Sequence, residues 1–115
     1  MVLLDESIVW VRDQIDSNIN KGQCGTGGTI ATSSDTALED PDGATLIDTT
    51  SSKSGNQITF SFKKSSTVGS GTIYREYGLR DTSNSVDWTR FVFTPLAASA
   101  SEDWNIKVRM FIRSV

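Results

Sequence analysis

The feature that most restricts the fold is a strict two-residue alternation near the C-terminal end. Its apolar members are Trp104, Ile106, Val108, Met110 and Ile112. The residues interleaved with them are Asn105, Lys107, Arg109, Phe111 and Arg113. Successive side chains of a β-strand point to opposite faces, so this pattern predicts a strand with one apolar and one largely basic face. We expect the apolar set to face the core and the basic set to face outward.

Shorter segments with similar properties precede this strand. Residues 57–63 alternate, with Ile58, Phe60 and Phe62 on one face. Residues 44–50, 72–79 and 86–94 are also predicted strands, and polar turns separate them at 51–55, 65–71 and 81–85. The chain is therefore predicted to be mainly β, an antiparallel β-sandwich or open barrel with one N-terminal α-helix.

The N-terminal segment 1–21 is the predicted helix. Ile8, Val11, Ile15 and Ile19 recur at spacings of three and four and form one apolar face. Asp5 is the expected N-cap, and Lys21 with Gly22 is the expected end of the helix. Val9 and Trp10 lie outside the main stripe, which widens the apolar surface.

A glycine-rich connector is predicted between the helix and the sandwich, over residues 22–43. Two short elements remain open within it, a strand at 29–32 and a helical turn at 35–39. A turn is expected at 40–43, where proline and glycine stand together. The expected organisation is a single domain over 1–115, with the helix at 1–21, the connector at 22–43 and the sandwich at 44–115.

Composition excludes several classes of function. The 115-residue chain contains no histidine, so serine–histidine triads, cysteine–histidine pairs and histidine-liganded metal sites are absent. We expect a protein that is not an enzyme and has no cofactor. The formal net charge of −3 argues against nucleic acid as a partner. No segment approaches the roughly 20 apolar residues of a membrane-spanning helix, and the N-terminus lacks the pattern of a signal peptide, so we expect folding in the cytoplasm.

Three small features have competing interpretations. The acidic residues Asp40 and Asp42 are expected to cap backbone amides, with calcium binding as the alternative. The run at 25–28 is rich in glycine but follows a helix, so it is interpreted as a connector rather than a phosphate loop. The single cysteine, Cys24, is expected to be a partly buried thiol, and a bridge between chains is the alternative.

Six residues are candidates for interaction with a partner: Val9, Trp10, Arg75, Glu76, Trp88 and Arg90. Arg75, Glu76 and Arg90 are charges inside predicted strands. They either pair across a solvated sheet face, or form a partly buried pair that fixes strand register or binds a neighbouring subunit. Trp10 and Trp88 are candidates because aromatic side chains are enriched at interfaces.

Two separated stretches resemble a known group of proteins. The first is CGTGGTIATSSDTALE at 24–39, and the second is GTIYREYGL at 71–79 followed by RFVFTPL at 90–96. Together they resemble the "GTGTTAPTxSDTALE" and "GTIRELGLF…ARTVFTP" stretches of small virion structural proteins, tail-fibre-like or accessory to the head or tail, in tailed bacteriophages and tailed archaeal viruses. Gly28, Ala31 and Tyr77 depart from the usual Thr, Pro and Leu, which leaves the place in the virion open.

The resemblance implies a virion protein made in the host cytoplasm. The implied role is a structural component of the head or tail, such as a tail or fibre-base component or a capsid decoration or turret protein. Its implied partners are copies of itself and other virion proteins of the head or tail scaffold. The alternative is a receptor- or glycan-binding module that contacts the host surface. Exposed strand edges pair readily, so we expect a cyclic homo-oligomer, trimer to hexamer, with residues 1–21 as the attachment element.

Overall fold

The computed structural model describes residues 4–83 and 85–113. Along the chain these form helix α1 (Asp5–Asn18) and strands β1 (Lys21–Gly25), β2 (Ile47–Asp48), β3 (Thr50–Ser54), β4 (Gln57–Lys64), β5 (Ile73–Asp81), β6 (Val86–Asp87), β7 (Phe91–Ala97) and β8 (Trp104–Phe111). The predicted mainly β fold with one N-terminal helix is confirmed. Residues 1–3 of the predicted helix, Asn84 of the predicted turn at 81–85, and 114–115 of the predicted domain lie outside the described residues.

The strands form two antiparallel sheets. In the first sheet β1 lies between β2 and β5, and both β6 and β7 pair with the other edge of β5. In the second sheet β4 lies between β3 and β8. Only Thr49 separates β2 from β3, so the chain crosses from one sheet to the other at that residue.

The core lies between the two sheets. From β4 it contains Ile58, Phe60 and Phe62, as the alternation predicts, and from β5 it contains Tyr74, Tyr77 and Leu79. The rings of Phe62 and Tyr77 meet edge to face, with centroids 5.1 Å apart. Aromatic pairs in this arrangement add to the stabilisation from area burial, so this contact ties the two sheets together.

The alternation of β8 is confirmed. Trp104, Ile106, Val108 and Met110 pack against the core, and Ile112 does so just beyond the strand. The intervening side chains of β8 are exposed. The full-length pairing of β8 with β4 fixes this register, since a shift of one residue would move the apolar side chains to solvent.

The prediction of a connector over 22–43 is wrong at its start. Lys21–Gly25 forms the central strand β1, paired with β2 and β5. Gly22 lies so close to the core that an added Cβ would be 2.4 Å from the Tyr77 hydroxyl oxygen. Gly22 therefore permits close packing of β1 against the core. It does not end the helix, because α1 already ends at Asn18.

Other predicted boundaries also change. The helix N-cap is Leu4 rather than Asp5, without a side-chain hydrogen bond. Residues 43–45 form a 3₁₀ turn, and strand pairing begins only at residue 47. Neither a strand at 29–32 nor a helical turn at 35–39 forms.

The predicted strand at 86–94 is divided between β6 and β7, with Pro95 inside β7. β7 lies at a sheet edge, and its register with β5 shifts between the pairs Tyr74–Leu96 and Glu76–Val92. Proline is tolerated at such irregular edge positions because no ladder hydrogen bond is required from its nitrogen.

Candidate functional site

A long loop, residues 26–40, crosses the side of the first sheet that faces away from the core. We call this loop the strap. Leu38 is its buried apolar contact, and it packs over Gly78 of β5. An added Cβ at Gly78 would lie 3.0 Å from the Leu38 side chain and 2.5 Å from the Thr89 carbonyl oxygen. The absence of a side chain at Gly78 therefore lets the strap approach the sheet.

The Glu76 carboxylate holds the strap in place. It is fully buried and accepts backbone N–H bonds from Gly27, Glu39 and Asp40 at 2.8–2.9 Å. The Arg90 Nε donates to the same carboxylate at 2.9 Å. A single side chain of β5 thus binds both ends of the strap.

Arg90 extends this connection to the middle of the strap. Its second nitrogen donates to the Asp35 carboxylate at 2.9 Å, and Asp35 also accepts the backbone N–H of Thr32. The Arg90 side chain is only 6% exposed. We call Glu76, Arg90 and Asp35, with the backbone amides they bind, the clamp.

The contacts within the clamp stabilise the ionised forms of its three side chains. Burial raises the pKa of Glu76, but the Arg90 hydrogen bond and three backbone N–H bonds outweigh it, and the net pKa lies below its usual value. The pKa of Asp35 is lowered first by the backbone N–H of Thr32 and then by Arg90. The hydrogen bond from Glu76 raises the pKa of Arg90. The two carboxylates are therefore compensated by donors of the same chain, while Nη2 of Arg90 has no hydrogen-bond partner among the described residues.

The clamp resolves the alternatives for the three strand charges. Glu76 and Arg90 form a buried pair rather than a solvated cross-strand pair, and the pair binds the strap of its own chain. Arg75 is outside the pair, and its side chain lies beside Gly28 of the strap. The two sequence stretches at 24–39 and 71–96 meet at the clamp. The charged positions were visible in the sequence, but the backbone amides that bind them were not.

Replacing Gly25 with alanine is expected to lower the free energy of unfolding by about 2–3 kcal/mol, because the new methyl group would overpack a rigid site. Its Cβ would lie 2.6 Å from both the Asp40 carbonyl oxygen and the Glu76 carboxylate. Gly43→Ala is the matched control, since nothing lies within 4 Å of that Cβ. Urea denaturation of both variants measures the difference. Equal stabilities would contradict the close packing of Glu76 against β1.

The carboxylates of Asp40 and Asp42 have hydrogen-bond partners inside the chain. Asp40 accepts the Thr26 hydroxyl at 2.5 Å, and Asp42 accepts the Ala44 N–H and the Tyr74 hydroxyl. No cluster of three or more potential metal ligands occurs within residues 4–83 and 85–113.

Cys24 is a free thiol without solvent exposure, and burial raises its pKa to about 12. A bridge from Cys24 to another chain would require the core to open.

Helix α1 is attached to the sandwich mainly through polar contacts. None of its 14 residues is buried. Arg12 donates to the Gly55 carbonyl oxygen, and Lys53 forms ion pairs with Asp13 and Asp16 at 3.4 and 3.3 Å. Apolar contact with the core comes from Ile15. These contacts place the helix beside the β3–β4 turn.

The aromatic candidates are exposed. Trp10 is 64% exposed, Trp88 is 42% exposed and Val9 is 38% exposed. None of the aromatic ring contacts found among the described residues involves Trp10 or Trp88. Trp88 borders a small polar pocket beside the strap. The structure thus places Trp10 and Trp88 on separate elements, each with a free aromatic surface.

An apolar cleft lies between the two sheets at the edges formed by β7 and β8. We call it the β7–β8 cleft, and its volume is about 640 Å³. Its apolar walls include Phe91, Phe93, Leu96, Trp104, Ile106 and Val108. Its charged lining residues are Asp103, just before β8, and Lys107 and Arg109, which lie on the exposed face of β8. The sequence does not predict this cleft, because the cleft exists only where edge strands of two different sheets come together.

Comparison with known proteins gives no relative. No family model, no curated protein and no solved structure matches the chain. Within the part of the chain that the structure describes, no helix has both the length and the apolar character needed to cross a membrane. The candidate site is therefore interpreted from its own geometry: a clamped β-domain, an exposed helix and an open apolar cleft.

Proposed function

We propose that this chain is a structural subunit that attaches to a neighbouring protein through helix α1. The observation that carries the proposal is the exposure of the helix. Trp10 is 64% exposed and no residue of α1 is buried. A helix with apolar side chains on more than one side requires a second surface to cover them.

The β-domain is suited to such a role because most of its core lies outside α1. The core cluster is formed mostly by β-strand residues, with Ile19 just past the helix end. The clamp fixes the long strap onto the first sheet. A β-domain that carries a largely exposed helix on its surface is a reasonable form for a subunit that is built into a larger assembly.

The assembly that we propose is the virion of a tailed virus, with this chain on the head or the tail. The support is the sequence resemblance at 24–39, 71–79 and 90–96 to small virion structural proteins. Mass spectrometry of purified particles from the source that encodes the chain tests this proposal. Many copies of the chain in every particle are expected, and its absence from purified particles would contradict the proposal.

Replacing Trp10 with aspartate is expected to abolish incorporation into particles without changing the free energy of unfolding by more than about 0.5 kcal/mol. The side chain is largely exposed, so the isolated domain loses little. Trp88→Asp is the matched control, because it also removes an exposed tryptophan but lies outside α1. Normal incorporation of the Trp10 variant would rule out α1 as the attachment element.

A further inference from the structure

The β7–β8 cleft is an apolar surface that the chain leaves open. Phe91 and Leu96 on its wall are 45% and 52% exposed. β7 and β8 are both edge strands, so their outer backbone groups have no strand partner within the described chain. A groove with apolar walls between two open edges is a suitable receptor for an apolar side chain carried on a helix.

The charges around the cleft are complementary to those around Trp10. Lys107 and Arg109 line the cleft, and neither takes part in any ion pair found among the described residues. Asp5 and Glu6 lie in the first turn of α1, and they also take part in no ion pair found among the described residues. Glu6 precedes Trp10 by four residues, which places the two side chains next to each other on the helix surface. The tryptophan therefore has an acidic neighbour. The cleft has two basic residues, Lys107 and Arg109, and one acidic residue, Asp103, so its charged lining is positive on balance.

The helix of the same chain does not fill this cleft. α1 is bound to Gly55 and Lys53 beside the β3–β4 turn. In the order β3-β4-β8, strands β3 and β8 are the opposite edges of their sheet. No residue of α1 lines the cleft. A helix placed in the cleft would therefore belong to another molecule.

We infer that the partner of α1 is a second copy of this chain, whose β7–β8 cleft receives Trp10 while Lys107 and Arg109 face the acidic first turn of the helix. This inference rests on the proposed function, in which α1 is the attachment element. The helix and the cleft are different surfaces, so the contact is head-to-tail. Contacts of this kind close into rings or continue as filaments. A ring agrees with the cyclic homo-oligomer expected from the sequence.

Two full-length variants test the contact. Trp10→Asp removes the inserted side chain and leaves the cleft intact. Lys107→Glu combined with Arg109→Glu reverses the charge of the cleft and leaves α1 intact. Both variants change exposed side chains, so both are expected to fold. Arg75→Glu is the control. It also reverses the charge of a cation that has no ion pair among the described residues, but this cation lies beside the strap and not at the cleft.

Sedimentation velocity over a range of concentrations is the measurement. Wild type and the Arg75 control are expected to form oligomers, and each of the two variants alone is expected to associate at least tenfold more weakly. An equimolar mixture of the two variants is expected to form a heterodimer and nothing larger. The intact helix of the cleft variant can bind the intact cleft of the Trp10 variant, and the remaining helix and cleft are both altered. Adding Asp5→Lys and Glu6→Lys to the cleft variant is expected to restore its oligomers.

Three results would overturn the inference: a monomeric wild type at every concentration, unchanged oligomers of the Trp10 variant, or a mixture that stays monomeric. These results are separable from failure of the proposed function. If the Trp10 variant is excluded from particles while the purified wild type is monomeric, α1 binds a different protein and only the present inference fails. If the Trp10 variant enters particles normally, the proposed function itself fails.

Discussion

Replacing Glu76 with glutamine is expected to lower the free energy of unfolding by about 3–5 kcal/mol, the range for breaking a buried ion pair from one side. The carboxylate is fully buried and accepts four hydrogen bonds, three from backbone amides and one from Arg90. The amide group of glutamine has only one acceptor oxygen and brings its own donors toward these N–H groups. Both the strap and the Arg90 side chain would lose partners.

Urea denaturation at neutral pH measures this effect. Glu102→Gln is the control, because Glu102 is an exposed glutamate in a turn and its replacement is expected to change stability by less than about 0.5 kcal/mol. The Glu76 variant is also expected to make the strap accessible to proteases before the sheets unfold. A loss below about 1 kcal/mol would contradict the assignment of Glu76 as the residue that holds the strap.

The pH dependence of the same variant gives a second test. The pKa of Glu76 in the folded chain lies below its usual value of 4.5, because Arg90 and the backbone amides outweigh burial. Between the folded and the unfolded pKa of Glu76, the unfolded chain binds more protons than the folded chain. The stabilisation that ionised Glu76 gives the folded chain is therefore complete above about pH 4.5 and is lost as the pH falls through the folded pKa. The stability difference between wild type and Glu76→Gln should therefore be constant near neutral pH and shrink in acid. A difference that grows in acid would contradict the ionised state of Glu76.

Replacing Trp104 with alanine is expected to lower the free energy of unfolding by about 3–5 kcal/mol, the usual cost of truncating a packed tryptophan. The indole meets the Tyr74 ring edge to face, with centroids 5.5 Å apart, and the Lys64 ammonium lies 4.9 Å from its ring centroid. Lys64 is fully buried and donates to the carbonyl oxygens of Ser65 and Val68. Removing the indole would widen the β7–β8 cleft into the core and withdraw the aromatic face from a buried cation.

Trp88→Ala is the matched control for this prediction. Trp88 is 42% exposed and has no ring contact among the described residues. Thermal or urea unfolding of both variants is the measurement, and the control is expected to lose less than about 1 kcal/mol. Similar losses in the two variants would mean that Trp104 does not anchor β8 to the core.

Strands with an alternating pattern of apolar residues can be predicted from this sequence alone. The alternating residues Ile58, Phe60 and Phe62 are buried in the structure, and the apolar face of β8 is partly buried against the core. This success has a simple cause, because burying one face of a strand requires a two-residue period in the sequence. The predicted N-terminal helix was found for the same kind of reason, since a three-to-four residue period in apolar side chains is a local signal.

The strand β1 was missed because its signal is not local. Its sequence, with glycine at both Gly22 and Gly25, resembles a flexible connector. The strand forms because β2 and β5 supply hydrogen bonds on both sides and because Tyr77 and Glu76 lie where side chains at those glycines would be. These partners are more than twenty residues away along the chain, so no short window of sequence contains them.

The sequence by itself determined which side chains face the core in β4 and β8, the mainly β class and the presence of an N-terminal helix with one apolar face. Only the tertiary structure decided that Glu76 and Arg90 bind a strap of their own chain, and that β7 and β8 together border an open cleft. The difference has a physical origin. Periodicity is set by the geometry of one element, whereas backbone amides converging on a carboxylate and edges meeting across two sheets depend on how distant elements pack.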